Sequence, residues 1–228
     1  MKTVNDQERV RRYCQQVPIL ASSDEDLLSH VTLVQFEKGD FICHEGQPLD
    51  QFYFMMEGKA KVFTTQKNGK MLLLCFYSGF ELLGEVEVLS KVPYTTTVKA
   101  LSPVTCLALD KAYVEDYLLK QVDFVHYIAE TLSQKLLRNT QNCSFNMLYP
   151  LDNRVATYIL LSSEGDYFHA NLTYLSELLA TSYRHLTRVL AKFCDQGLLE
   201  KVGVRYLIRD RIGLEGIANL EVTNFGKE

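Results

Sequence analysis

Hydrophobic and polar positions fall into three textures along the chain. Residues 5–16 have helical composition and are stopped by Pro18, because the residue before a proline is driven out of the α region. A short helix is expected after Ser23, where Asp24, Glu25 and Asp26 precede Leu27 and Leu28 and suit the positive end of a helix dipole. From about 31 to 109, short β-rich runs take over, at 33–36, 41–43, 51–56, 60–64 and 71–76. Gly39, Gly46, Gly58, Gly79 and Gly84 punctuate them. Asn68-Gly69 marks a hairpin, since both residues tolerate positive φ. Many short strands with regular turns predict a sandwich or jelly roll.

From about 111 to 147 the period becomes helical. Val125, Ile128, Leu132 and Leu136 recur at three- and four-residue spacing, and Asn139 and Asn142 continue the stripe in polar form. Such a stripe packs on its own domain or forms the seam of a two-stranded coil, where polar positions set the register. A helix of roughly 22 residues, about 33 Å long, has little else to bury against, so a dimer seam is expected. Tyr149-Pro150 interrupts it as a hinge, and 154–161 reads as a fresh helix ended by Gly165.

Residues 171–193 read as two short helices around a tight turn. Leu172, Leu175, Leu178 and Leu179 form an apolar stripe on the first, while Ser176 and Ala180 are small, as a close helix crossing requires. Thr181-Ser182 forms the turn and offers Ser182 as an N-cap. On the second helix Leu186, Val189, Leu190 and Phe193 lie at i, i+3, i+4 and i+7 and face a core. Tyr183, Arg184, Thr187 and Arg188 are left on the outer face. Alone, this is an ordinary amphipathic helix with solvated arginines. The next segment shifts the balance, because 197–200 and 204–209 read as a helix stop and a β-hairpin, which makes a winged helix. Arg184 and Arg188, one turn apart near the helix start, then meet base edges in the major groove. Guanidinium groups read guanine through O6 and N7. Arg205 and Arg209 of the hairpin suit phosphates.

A length of 228 residues favours two domains. The net charge of −4 is unevenly spread, with +3 in 171–211 and −7 elsewhere, which suits a DNA-reading module carried by an unrelated domain. Six cysteines, at 14, 43, 75, 106, 143 and 194, form no CxxC and no zinc-ligand spacing, so they read as small apolar core residues of a reducing compartment. No run approaches the ~18 apolar residues of a membrane helix. The polar residues 1–9 lack a signal core, and a cytoplasmic location without a membrane partner is expected. Glu81, Glu85 and Glu87 are close enough for paired-carboxylate chemistry. They alternate on what reads as a strand end or turn, with no histidine, metal motif or nucleophile nearby, so no enzyme is expected.

Over nearly its whole length the sequence resembles the Crp/Fnr family of bacterial transcription regulators. The resemblance rests on Gly39-Asp40, Glu45-Gly46, Phe54, Gly58 and Gly84-Glu85. The runs 182–186 and 159–166 look closest to the YeiL-type branch. The resemblance implies an α+β chain with a β-roll (jelly-roll) sensor domain of cyclic-nucleotide-binding type at 1–122, a dimerisation helix at 123–148 and a winged helix-turn-helix at 149–228. It implies Arg184, Thr187 and Arg188 as base-reading positions, with Tyr183 beside them. Arg188 matches the family's basic residue, whereas Arg184 stands where many relatives have a glutamate that accepts from cytosine, so a different operator is expected. Ala180 replaces the usual turn glycine, at about 1 kcal/mol if the position is left-handed.

In the sensor, Gly84-Glu85 matches a phosphate-binding cassette whose glutamate holds a ribose hydroxyl. Thr95, Thr96, Asn139 and Thr140 are the other candidate ligand residues. The cassette also needs an arginine for the cyclic phosphate, and 92–97 holds no cation. Burying an anion without a positive partner is strongly disfavoured, so cyclic AMP is not the expected ligand. Lys99 lies too far along. Glu85 is either a ligand residue or a carboxylate capping nearby amides. An Fnr-like iron–sulfur cluster needs four suitably placed cysteines, and only Cys14 lies near the N-terminus. Histidines 30, 44, 126, 169 and 185 decide nothing about haem.

The expected function is a homodimeric regulator that binds double-stranded DNA at a pseudo-palindromic operator. Its signal is an unidentified small-molecule effector, and RNA polymerase is a further expected partner. The alternative is a cyclic-nucleotide-type module that regulates a protein partner. The two-faced helix and basic hairpin at 182–209 speak against it.

Overall fold

Strand-forming runs cut by turn residues pair into two sheets in the first half of the chain. The computed structural model describes residues 1–21, 25–65, 67, 69 and 71–218, with the side chains of 141–148 left aside. Ser23 and Asn68, and the side chains of Asn142 and Cys143, therefore lie outside what is described.

The chain opens with β1 (Lys2–Val4), α1 (Gln7–Gln16) and α2 (Glu25–His30). Next come β2 (Val31–Phe36), β3 (Phe41–Cys43), β4 (Gln51–Glu57), β5 (Lys59–Thr65), β6 (Met71–Ser78) and β7 (Glu81–Leu83). After α3 (Glu85–Ser90) lie β8 (Thr97–Ala100), β9 (Val104–Asp110), α4 (Lys111–Asp116) and a 3-10 turn at Leu118–Lys120. One sheet runs β1-β2-β9-β4-β7 and the other β3-β8-β5-β6. This is the expected jelly-roll type of sheet pair.

Strand β9 is buried at every position from Val104 to Leu109. It lies between β2 and β4, while α1 and α2 rest on β2 and α4 rests on β9 itself. Phe52, Phe54, Leu82 and Leu107 are fully buried in this core. Gly58 turns β4 into β5 with φ of 106°, and a Cβ there would come 2.4 Å from the Pro103 carbonyl oxygen. Only glycine meets both demands.

The structure corrects the placement of the three glutamates. Glu81 is on β7, but Glu85 and Glu87 lie on helix α3, not on a strand end. Gly84, left-handed at φ of 102°, ends the strand and starts the helix within one residue.

Helix α5 (Val122–Leu148) has 27 residues, longer than its apolar stripe suggests. It carries two stripes. Phe124, Ile128 and Lys135 are buried, and Phe124 meets Phe52 at 6.0 Å between ring centres. Ile128 thus packs on its own domain and does not belong to an outer seam. Val122, Val125, Ala129 and Leu136 are exposed and Leu132 half-buried, at alternating three- and four-residue steps.

The chain then forms α6 (Leu151–Ser162), β10 (Tyr167–Phe168), α7 (Leu172–Leu178), α8 (Tyr183–Asp195), β11 (Leu199–Val202), β12 (Arg205–Ile208) and α9 (Arg211–Ile217). Helix α6 stops at Ser162, and Gly165 serves the turn after it. The three strands form one sheet, β10-β12-β11. Phe168 sits between Tyr158 and Tyr206, at 6.2 and 6.3 Å. Helices α6, α7 and α8 with this sheet make a winged helix.

Close contacts group Met1–Val62 with Phe76–Leu137 in one compact unit, and Phe63–Cys75 with the chain from Arg138 on in a second. Among the described residues no helix is long and apolar enough to cross a membrane. Cys14, Cys43, Cys75 and Cys106 are buried cysteines outside any disulfide, and Cys194 is half-buried. Burial pushes the Cys14 thiol up to about 11 and raises Cys43 and Cys106 further. Thiols held protonated in this way pack as apolar groups.

Candidate nucleic-acid interface and sensor cassette

Helix α8 begins where the sequence places its cap, with the Ser182 side chain accepting from the His185 amide at 3.1 Å. Leu186, Val189, Leu190 and Phe193 are buried as expected. Tyr183, Arg184 and Arg188 are exposed, and Thr187, half-buried, donates its hydroxyl to the Arg184 carbonyl at 3.1 Å. His185 shares the exposed start of the helix, a residue that sequence reasoning leaves out.

The turn before α8 is tightly specified. Ser176 is buried, and its hydroxyl donates to the Thr173 carbonyl of its own helix at 2.8 Å. Ala180, by contrast, is exposed and takes no part in a helix crossing; it holds the turn at φ of 49°. Its amide and that of Thr181 reach back to Glu177 and Ser176, at 2.9 Å each. Arg154 of α6 donates to the Leu179 carbonyl at 2.8 Å and so caps the end of α7. Burial lowers the Arg154 pKa, a cost that this hydrogen bond offsets. Ala180→Gly removes a left-handed alanine and is expected to stabilise the C-terminal unit by up to about 1 kcal/mol. Denaturant unfolding of the two proteins checks this, and an unchanged or lower midpoint contradicts it.

The basic side chains of this region divide into two groups. Lys192 pairs with Asp152 at 2.5 Å, Arg211 with Asp166 at 3.4 Å, and Arg209 with Glu200. Arg209 is thus engaged across its own hairpin. No ion pair engages Arg184, Arg188, Lys201 or Arg205 among the described residues. Arg205 begins β12, just past the left-handed Gly203 at the hairpin tip.

On α3 of the N-terminal unit, Glu85 and Glu87 are buried. Glu85 Oε1 accepts from Lys135 Nζ at 2.7 Å, and among the described residues no backbone amide is recorded as donating to it. Lys135 escapes sequence reading because it looks like a polar interruption of an apolar helix. Glu87 accepts from both the amide and the hydroxyl of Thr95, at 2.9 and 2.7 Å. Tyr94 is buried and donates to the Gln51 carbonyl at 2.6 Å. Thr96 is half-buried, and Asn139 and Thr140 are exposed on α5. Lys99 turns to the ring of Phe41, 4.6 Å from its centre. Burial and the nearby Lys99 lower buried Lys61 to about 8. The Thr95 donors are spent on a carboxylate, Glu85 is held by Lys135, and 92–97 supplies no cation.

The chain matches the cyclic nucleotide-binding domain family over residues 33–121 and the Crp-like helix-turn-helix domain family over 153–217. It is 37% identical over 193 residues to the regulatory protein YeiL of Escherichia coli O157:H7, which covers 85% of this chain and 88% of that protein. It is 22% identical over 187 residues to a CRP-like cAMP-activated global transcriptional regulator of Mycobacterium tuberculosis, covering 78% and 84%. A Crp/Fnr family regulator from Eubacterium rectale has the same fold, with a TM-score of 0.72 at 17% identity, covering 88% and 97%. So does a CRP family regulator from Thermus thermophilus, with a TM-score of 0.64 at 20% identity, covering 81% and 96%.

Proposed function

Because the chain belongs to the Crp/Fnr family, as a transcription regulator of the YeiL type, we propose that it works as a homodimer that reads a pseudo-palindromic operator through the outer face of α8. The observation that carries this reading is the exposure of Arg184 and Arg188, without ion-pair partners among the described residues, on a helix whose other face is fully buried. Both side chains sit in the first two turns, where a recognition helix meets bases. Tyr183 and Thr187 lie beside them, Ser182 fixes the helix start, and Arg205 contacts phosphate. Arg209, braced by Glu200, supports the hairpin and shares its phosphates.

The dimer is supported by the outer stripe of α5. Val122, Val125, Ala129, Leu132, Leu136 and Asn139 keep the three-four spacing of a two-stranded coil. Val122 is 81% exposed and Leu136 68% exposed in the single chain. Two-fold pairing sets the recognition helices one DNA turn apart, about 34 Å. In this reading 1–122 is the sensor, 123–148 the dimer helix and 149–228 the DNA-binding part, in a cytoplasmic protein. Its signal is not cyclic AMP, and RNA polymerase is its further partner where it activates.

Sedimentation together with gel-shift titration tests the reading. The purified protein is expected to sediment as a dimer and to shift genomic fragments that contain inverted repeats. Leu136→Lys is expected to weaken both dimer and shift, and cyclic AMP to change neither. A monomer that binds DNA as tightly as the dimer contradicts the proposal.

A further inference from the structure

The sensor cassette is filled by charges of the chain itself. The Lys135 ammonium, on a side chain only 11% exposed, meets the Glu85 carboxylate at 2.7 Å. It donates to the Leu82 carbonyl as well, and lies 5.1 Å from the centre of the Tyr77 ring. A carboxylate, a carbonyl and an aromatic face around one nitrogen are the elements that recognise an ammonium ion. Lysine is almost never buried unless so paired. Meanwhile Glu87 takes both donors of Thr95, and Glu81 adds a third buried carboxylate on the neighbouring strand. These surroundings favour a cation and repel an anion.

We propose that this cassette is an ammonium site whose resident ligand is Lys135, so that α5 is fastened to the sensor without any nucleotide. A compound that acts through the cassette is then an amine or a guanidinium that competes with Lys135, and not a cyclic phosphate. The inference stands apart from the DNA-binding reading, because it is tested without DNA.

The test is chemical replacement of the ammonium in the full-length protein. Lys135→Ala breaks a buried pair and is expected to lower the thermal midpoint of unfolding by roughly 10 °C. Propylammonium chloride, supplied at millimolar concentrations, is expected to restore much of that loss. Equal concentrations of sodium chloride or 1-propanol are expected not to. Should Lys135→Ala fail to fold, two further variants carry the test. Lys135→Arg keeps a cation and is expected to melt within a few degrees of the wild type. Lys135→Met combined with Glu85→Met replaces the pair by apolar groups and is expected to recover most of the stability, with no response to the amine. Four results overturn the proposal: Lys135→Ala as stable as the wild type, equal restoration by sodium chloride, Lys135→Arg as damaged as Lys135→Ala, or a higher wild-type midpoint with cyclic AMP.

Discussion

Replacing Phe193 with alanine is expected to destabilise the C-terminal unit by about 3–5 kcal/mol and to abolish operator binding. Phe193 is fully buried on the last turn of the α8 stripe, behind Leu186, Val189 and Leu190. Its carbonyl accepts from the Leu198 amide at 3.0 Å, tying the helix end to the start of the hairpin. Helix α8 packs on α6 and on β11, so the void has rigid elements on two sides and collapses poorly. A loss of this size is a large fraction of the roughly 5–15 kcal/mol typical of a domain. Calorimetry of the full chain checks it, with the unfolding of the N-terminal unit as an internal reference. A C-terminal transition at the wild-type temperature contradicts it.

Replacing Arg184 with alanine is expected to weaken binding to the cognate operator by roughly 1–3 kcal/mol, about 5- to 150-fold, while binding to random duplex stays nearly unchanged. The first turn of α8 carries no acidic residue. In the proposed reading the guanidinium groups near its start offer only donors, which suit the O6 and N7 acceptors of guanine. Arg188→Ala is expected to behave alike at a second position. The two arginines are one turn apart, so their double variant need not be additive. Arg205→Ala is expected to differ in kind, weakening all sequences about equally and flattening the salt dependence by about one unit of slope. Anisotropy titrations on cognate and scrambled duplexes at several salt concentrations separate these cases. Equal loss on both duplexes for Arg184→Ala removes its base-reading role.

Much of this architecture is legible in the sequence wherever one signal dominates. The α8 stripe and its Ser182 cap come from periodicity and capping chemistry, while the left-handed Ala180 is raised only as a condition by the family resemblance, whose usual turn glycine it replaces. The strands of the N-terminal sheets come from β-rich runs cut by glycines. What escapes reading has identifiable physical causes. Lys135 continues the inward line of buried Phe124 and Ile128 and half-buried Thr131 by one more step, but a lysine reads as solvent-facing unless its partner fifty residues away is known. Ile128 reads as part of the outer seam because two apolar stripes share one helix and periodicity alone does not separate them. Glu85 and Glu87 read as a strand end because Gly84 both stops β7 and starts α3. The pairing of Arg209 with Glu200 needs the hairpin register, in which Glu200 faces Leu207 and Arg209 is the diagonal neighbour.

The decisive measurement is selection of bound DNA from a random duplex library by the purified protein, followed by sequencing. The expected product is an inverted repeat whose half-sites are centred one helical turn apart. Guanines are expected at the positions facing Arg184 and Arg188, with that preference lost at one position in Arg184→Ala. Recovery of unrelated sequences without symmetry, or of the same preference in the Arg184→Ala protein, contradicts operator reading by α8.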